Sequence, residues 1–350
     1  MSDYMAMCLT HPKHGYYMTH QPIGKKSLRN RDGGDFITAP EINQMFGELV
    51  GIWCMNMWIE LGKPSIFNLV EMGPGRGTLI KDLLRVGRTL PLFLSGIQIF
   101  LLEISPSLIQ QQRLTLSNQT VPIQWIKDLM FLPLPSAPTI FIANEFLDTL
   151  AVKQWIKVGR YWIERAVGVI NHKLSFVTGP SILDQALLPS NHARQPKGTI
   201  FETSPAREAI VDEIQTYISI CSGAALFIDY GHLLPRFGNT FQAVRDHAYC
   251  DVFYNPGKSD LTSHVDFSAL LSMIESVENL NQMHQIVTQS DFLLSLGLLE
   301  RASRLGWNQD SVVQKSLQEA VTRLASPEDM GQLFKVLVLG SGIKLNSPRF

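Results

Sequence analysis

The 350-residue chain has only four cysteines, Cys8, Cys54, Cys221 and Cys250, widely separated and without a C-x-x-C pair. That excludes a dense disulfide scaffold and fits reduced thiols in a reducing compartment. It also lacks an excess of either charge: 30 Lys and Arg stand against 31 Asp and Glu, a formal net charge of −1. A surface built to neutralise many phosphates is basic, so nucleic acid is not expected as a partner. No apolar run approaches the roughly 18 residues of a membrane span, and residues 1–19 lack a basic stretch followed by an apolar one. Neither a span nor a secretory leader is expected. The H-E-x-x-H and G-x-S-x-G patterns are missing too, which removes the usual protease and hydrolase readings of His264 and Asp266. His11 and His14 have no further ligand nearby in sequence, so no metal is expected.

What remains is the composition of a folded protein, 45% apolar and 17% charged. Its length exceeds the roughly 100–200 residues of one ordinary domain, so an elaborated α/β domain or a domain with a lobe is expected. Residues 41–61 have helical apolar spacing, with Pro40 ahead and Gly62 and Pro64 behind. From Ser65 short apolar runs alternate with helical ones, the pattern of parallel βαβ units. Strands are expected at 66–71, 97–103, 121–126, 139–143 and 224–229, with helices at 78–86, 105–117 and, capped by Ser204-Pro205, to 220. The fold class is therefore α/β, a Rossmann-like, doubly wound and mostly parallel sheet. Between its fourth and fifth strands, residues 152–177 flank the turns Gly159-Arg160 and Asn171-His172, which predicts a small antiparallel insertion. Residues 179–198 read as a linker and 240–266 as a long functional loop.

The strongest local pattern is Asn68-Leu-Val-Glu71-Met-Gly73-Pro74-Gly75-Arg-Gly77-Thr78, a strand running through a glycine turn into a helix. Glycines suit a turn where a ligand must approach the backbone closely. A dinucleotide fingerprint places its third glycine where this chain has Thr78; here E-x-G-x-G-x-G stands instead. That favours S-adenosylmethionine over NAD. Glu71 would hold its cationic end, and Glu103, ending the second strand before Ile104, would accept from both ribose hydroxyls. Asp128 after the third strand would accept from the adenine amino group, with Leu129 on the ring.

Asn144-Glu145-Phe146-Leu147-Asp148 follows the fourth strand, where such a fold presents the methyl acceptor. Displacement on carbon needs alignment more than acid or base. For a guanidinium acceptor, Glu145 and Asp148, joined by Glu41, would orient the planar fork, with Asn144 beside them. Glu41, in Thr38-Ala-Pro-Glu41, and Asp35 would arrive from a loop folding over the cofactor, although an acid also suits the first turn of a helix.

The block Gly34-Asp-Phe-Ile-Thr-Ala-Pro-Glu-Ile-Asn-Gln-Met-Phe-Gly-Glu-Leu-Val-Gly51 resembles the hallmark of MidA-like methyltransferases, the complex I assembly type. The resemblance continues through residues 69–84, Glu103-Ile-Ser-Pro, 143–150, Ile228-Asp-Tyr-Gly231, 240–267, Gln289-Ser-Asp-Phe292 and 330–336, nearly the whole chain. It implies a class I fold with an insertion, S-adenosylmethionine as donor with S-adenosylhomocysteine as product, and, in mitochondrial members, arginine methylation of a core subunit of respiratory complex I. Location would then be the mitochondrial matrix, with a transit peptide removed, or the bacterial cytoplasm. Family members carry a further helix ahead of the Asp3-Tyr-Met-Ala-Met segment.

The expected organisation is an extension over the cofactor site at 1–64, a methyltransferase core at 65–150 and 199–350, and an inserted lobe with linker at 151–198. A homodimer through the helix at 41–61 is one possible assembly. Two other functions compete with protein arginine methylation: methylation of a small molecule, and a catalytically weak assembly factor that keeps the cofactor as a structural ligand.

Overall fold

The computed structural model describes residues 1–19, 37–276 and 282–343. Asp35 and the start of the Gly34–Gly51 block therefore lie outside the described residues. The parallel strands are β1 (Phe67–Met72), β2 (Ile97–Leu102), β3 (Ile123–Ile126) and β4 (Thr139–Asn144). An antiparallel excursion follows as β5 (Lys153–Val158), β6 (Tyr161–Ile170), β7 (Lys173–Ile182) and β8 (Ile200–Thr203). The chain returns in β9 (Gly223–His232), then makes β10 (Gln242–Arg245), β11 (Ala248–Cys250), β12 (Asp260–Thr262), β13 (Val265–Asp266), β14 (Gln282–Thr288) and β15 (Phe334–Ser341).

The eight-stranded central sheet has the order β14-β15-β9-β4-β1-β2-β3, with β13 added beside β9. Strands β3, β2, β1, β4 and β9 are mutually parallel, whereas β15 runs antiparallel to both β9 and β14. After β1 the chain moves to one side for β2 and β3, then crosses to the other for β4. That reversal opens a crevice at the carboxyl ends of β1 and β4, the place where open α/β sheets bind ligands. Parallel strands covered on both faces are apolar throughout, and β1 and β4 are buried at every position.

Helices 39–42, 44–60, 78–87, 289–295, 298–306 and 311–325 contribute to the core on one face, and helices Pro205–Cys221 and Phe267–Ser276 to the core on the other. The helix expected at 41–61 is broken at Asn43, whose extended backbone and side chain, accepting from Met45 N, start helix Gln44–Glu60. Twelve of its seventeen residues are buried within the fold. It is core, not the dimer face that its spacing also allowed.

The insertion forms a four-stranded sheet, β7-β6-β5-β8, turning at 159–160 and 171–172 as expected. Strand β7 runs into the stretch read as a linker, and β8, read as the start of the core, closes the inserted sheet. The region read as a loop at 240–266 instead contains the three-stranded sheet β11-β10-β12 and the short β13. Its strands are two to four residues long, too short for alternation to reveal. A third core joins this sheet to the N-terminal helix Ser2–Thr10, with Met5, Leu9 and Tyr16 packed against Val152, Phe241 and Leu261.

Candidate active site

Glycines 73, 75 and 77 all have positive φ, 63°, 53° and 78°, so the turn after β1 requires the residues that the sequence supplies. Gly73 N donates to Leu102 O at 3.1 Å, and Gly77 precedes helix Thr78–Gly87. Beside this turn lies a cavity of about 290 Å³ lined by Glu71, Gly73, Pro74, Gly75, Thr78, Glu103, Ile104, Asn144, Glu145 and Glu41. Tyr17, Phe146, Leu108, Lys127, Thr149 and Leu150 complete much of its wall. Ten of the residues predicted from sequence therefore meet in one place; Gly77 sits behind them against Gln112 and Leu116.

Register explains the meeting. Glu71 pairs with Leu101 of β2 and Ile142 of β4, so Glu103 and Asn144 emerge at the same sheet edge. Glu71 is buried, and its Oε2 has no hydrogen-bond partner among the described residues. Burial, then the neighbouring Glu103, pushes its carboxyl up to about 8. Asn144 Oδ1 is a second buried acceptor without a partner among the described residues. Two orphaned acceptors on the wall of one cavity call for a ligand that brings donors. An amino-acid ammonium is such a ligand, and the residues present fit S-adenosylmethionine.

Glu103 is fixed before any ligand arrives. Its Oε1 accepts from Ser105 N at 2.8 Å and its Oε2 from Gln112 Nε2 at 3.0 Å. Burial raises its proton affinity, and those two donors oppose the rise. Gln112 also donates to Gly75 O at 2.8 Å and accepts from Trp125 Nε1 at 2.9 Å. It thus ties the ribose-side carboxylate to the glycine turn. Sequence reasoning missed it, yet a signal existed: Leu108, Gln112 and Leu116 recur at four-residue intervals, which puts a glutamine in an apolar helix stripe.

At the acceptor end Glu145 has φ +50°, a conformation costly for a non-glycine residue and concentrated at functional sites. Its Oε1 accepts from Ala39 N at 2.9 Å and Asn144 Nδ2 at 3.2 Å, leaving Oε2 without a hydrogen bond among the described residues. Burial pushes this carboxyl up to about 7 against those hydrogen bonds, with Asp148 adding repulsion. Glu41 accepts from Thr78 Oγ1 at 2.5 Å and lies 3.5 Å from Arg76 Nη1. It fastens residues 38–42 over the glycine turn, so its carboxylate is engaged on the cofactor side.

Three expected residues stay away from this cavity. Asp128 is exposed and caps the 3-10 turn Leu129–Phe131 by accepting from Met130 N at 2.9 Å, while Leu129 packs into the core. Lys127, one residue earlier, lines the cavity instead. Asp148 is buried behind the acceptor loop, where its Oδ2 accepts from the Tyr230 hydroxyl at 2.7 Å. Asp229 accepts from Asp148 N, and buried Arg207 donates to the carbonyls of Leu147, Asp148, Ser263 and His264. This network shapes the loop from beneath.

A larger cavity of about 750 Å³ lies beyond that loop, between the inserted sheet and helix Phe267–Ser276, and includes none of the glycine-turn residues. His264 and Asp266 face it. Asp266 caps the helix through Ser268 N and Ala269 N, and burial lowers the His264 imidazole to about 4. Among the described residues no group of three His, Cys, Asp or Glu is arranged to hold a metal ion. His11 and His14 stack on each other at 5.1 Å between ring centres.

A doubly wound sheet with an antiparallel strand set beside its fifth parallel member, and a glycine turn at the switch point, define a class I S-adenosylmethionine-dependent methyltransferase. The family model for S-adenosyl-L-methionine-dependent methyltransferases matches residues 49–285. The chain belongs to that family, in its MidA-like branch. It is 35% identical to protein arginine methyltransferase NDUFAF7, mitochondrial, of Xenopus tropicalis, over 96% of this chain and 80% of the relative. The human protein of the same name is also 35% identical, over 100% of this chain and 82% of the relative. A Burkholderia thailandensis superfamily member solved bound to S-adenosyl-homocysteine is 28% identical, with a TM-score of 0.81 covering 98% of this chain and 88% of that one.

Proposed function

We propose that this enzyme methylates a guanidinium nitrogen of an arginine in a protein, a core subunit of respiratory complex I or its bacterial counterpart, during assembly. The observation that carries the acceptor reading is Glu145: strained, partly buried and with one carboxylate oxygen unengaged beside the cofactor cavity. The naming of the mitochondrial relatives as protein arginine methyltransferases supports it. In a eukaryotic cell the work falls in the mitochondrial matrix, in a bacterium in the cytoplasm.

S-adenosylmethionine supplies an electrophilic methyl group on its sulfonium. Glu71 and Asn144 hold the ammonium of its amino-acid end with the two acceptors that lack partners among the described residues. Glu103 accepts from the ribose hydroxyls, held in place by Ser105 and Gln112. Ile104 and Leu108 offer apolar surface to the adenine. Glu145 Oε2 accepts a guanidinium N–H, localises the positive charge and leaves another nitrogen freer to attack. With a carboxyl near 7, Glu145 also takes up the proton that the methylated nitrogen releases. Asp148 acts at one remove, by raising Glu145.

The test begins with calorimetric titration by S-adenosylmethionine, S-adenosylhomocysteine and NAD. Both sulfur cofactors are expected to bind and NAD to fail. Mass spectrometry of the core subunit incubated with enzyme and cofactor should then locate methyl groups on arginine. Glu145→Gln is expected to slow transfer about 100-fold and change cofactor affinity less than about threefold. Wild-type transfer should rise with pH through about 7, as Glu145 ionises. Methylation of a small metabolite without arginine modification would refute the acceptor assignment.

A further inference from the structure

The N-terminal segment contributes an aromatic side chain to the cavity. Tyr17 lines it together with Glu145, Phe146 and Thr149, and its hydroxyl donates to Asp260 Oδ1 at 2.8 Å across 243 positions of sequence. Asp260 is itself buried, on β12. The frame around Tyr17 is closely packed. Tyr16 is fully buried in the third core, Tyr4 donates to Val252 O at 2.6 Å, and a Cβ at Gly257 would meet His14 O at 2.2 Å. The turn Tyr16–Thr19 reaches across to helix Pro106–Thr115 on the adenosine side. Burial, then Asp260 and Asp148, disfavour ionisation of the Tyr17 hydroxyl, and Asp148 lies behind the acceptor loop on the other side. Tyr17 therefore stands where the cofactor and acceptor ends of the cavity meet.

We infer that Tyr17 is a specificity-determining residue of the acceptor site: its ring is the face on which the planar guanidinium stacks while Glu145 holds the edge. This rests on the arginine reading given above. A flat cation can satisfy a ring face and a carboxylate in its own plane at once, whereas a tetrahedral ammonium has no plane to match. The bond to Asp260 sets the ring's tilt. It also couples acceptor recognition to the seating of the N-terminal segment.

The experiment is an NMR titration of the 350-residue chain, saturated with S-adenosylhomocysteine, with acetyl-Gly-Arg-Gly amide and its lysine counterpart. S-adenosylhomocysteine affinity is measured separately by calorimetry. Wild type should prefer the arginine peptide. Tyr17→Leu should weaken arginine-peptide binding about tenfold and erase most of the preference over lysine, with cofactor affinity moved less than about threefold. Tyr17→Phe keeps the ring and should retain most of the preference. If Tyr17→Leu binds the arginine peptide as tightly as wild type, or loses only cofactor affinity, Tyr17 is a cofactor cover and the inference falls while the arginine reading stands. If wild type binds the lysine peptide equally well, or neither peptide, the arginine reading falls first and this inference with it.

Discussion

Glu71 shows how one buried carboxylate serves folding badly and binding well. At the end of β1 no cation of the described residues lies within hydrogen-bonding reach of it, and its proton is held up to about 8 against the ordinary carboxylate value of 4.5. The folded protein binds this proton more tightly than the unfolded chain. Stability from this source is therefore complete below the unfolded value and lost as pH rises through about 8. The ligand-free protein should accordingly lose thermal stability between about pH 5 and 8, and Glu71→Gln, which has no proton to lose, should flatten that slope. Cofactor affinity should run the other way. An ammonium needs the ionised carboxylate, so binding expels a proton and tightens as pH rises toward 8, and this dependence should vanish in Glu71→Gln. Calorimetry in buffers of different ionisation enthalpy counts the proton directly. Equal proton release by wild type and variant would assign it to another group.

At the scale of elements, two glycines decide how the N-terminal half packs. A Cβ at Gly47 would lie 2.8 Å from Asp82 Cβ, and one at Gly51 only 2.6 Å from Val86 Cγ1 and 3.0 Å from Leu83 Cα. Helices Gln44–Glu60 and Thr78–Gly87 thus touch almost backbone to backbone, and the second of them begins at the cofactor turn. Buried Glu48 secures the same helix pair by accepting from Arg85 and adds Arg301 from the C-terminal helices. Gly51→Val should cost about 3 kcal/mol through overpacking, visible as a lower denaturation midpoint, and should weaken cofactor binding by shifting the start of helix Thr78–Gly87. An unchanged midpoint would mean that the helices separate freely. The close approach also gives a physical reason for part of the Gly34–Gly51 block, which as sequence is only a family signature. Elements of the parallel core were legible because strand and helix periods alternate there and caps such as Ser105 and Ser204 mark the starts. Strands β14 and β15 were not: β15 is buried at all eight positions and reads as an apolar run without alternation. Its neighbour β14 gains its identity only from pairing with it.

The whole molecule brings distant parts of the chain to one cavity, and legibility falls with that distance. Glu71, Glu103 and Asn144 stand at or just past the ends of the neighbouring parallel strands β1, β2 and β4, so topology alone places them together. Leu9, Thr10 and Tyr17 enter from the far side by way of a core that no local pattern announces. Asp148 was misplaced for a related reason: its partners Tyr230, Asp229 and Arg207 lie 59 or more positions away, and they draw it behind the loop. The third core is therefore the mechanical base of the site, joining the N-terminal helix to β12 and, through Leu174 and Phe176, to the inserted sheet. Met5, fully buried in that core, is not among the residues that line the cavity. Met5→Ala should cost about 3 kcal/mol by transfer and cavity terms together. If the N-terminal helix seats Leu9 and Thr10 against the cavity, the variant should also lose several-fold in S-adenosylhomocysteine affinity while the central sheet keeps its circular dichroism. Saturating ligand should then recover part of the lost midpoint, because binding favours the seated helix. A destabilised variant with undiminished affinity would show instead that the two small sheets and the N-terminal helix fold as a cap independent of the cavity, with the cofactor held by the parallel core alone.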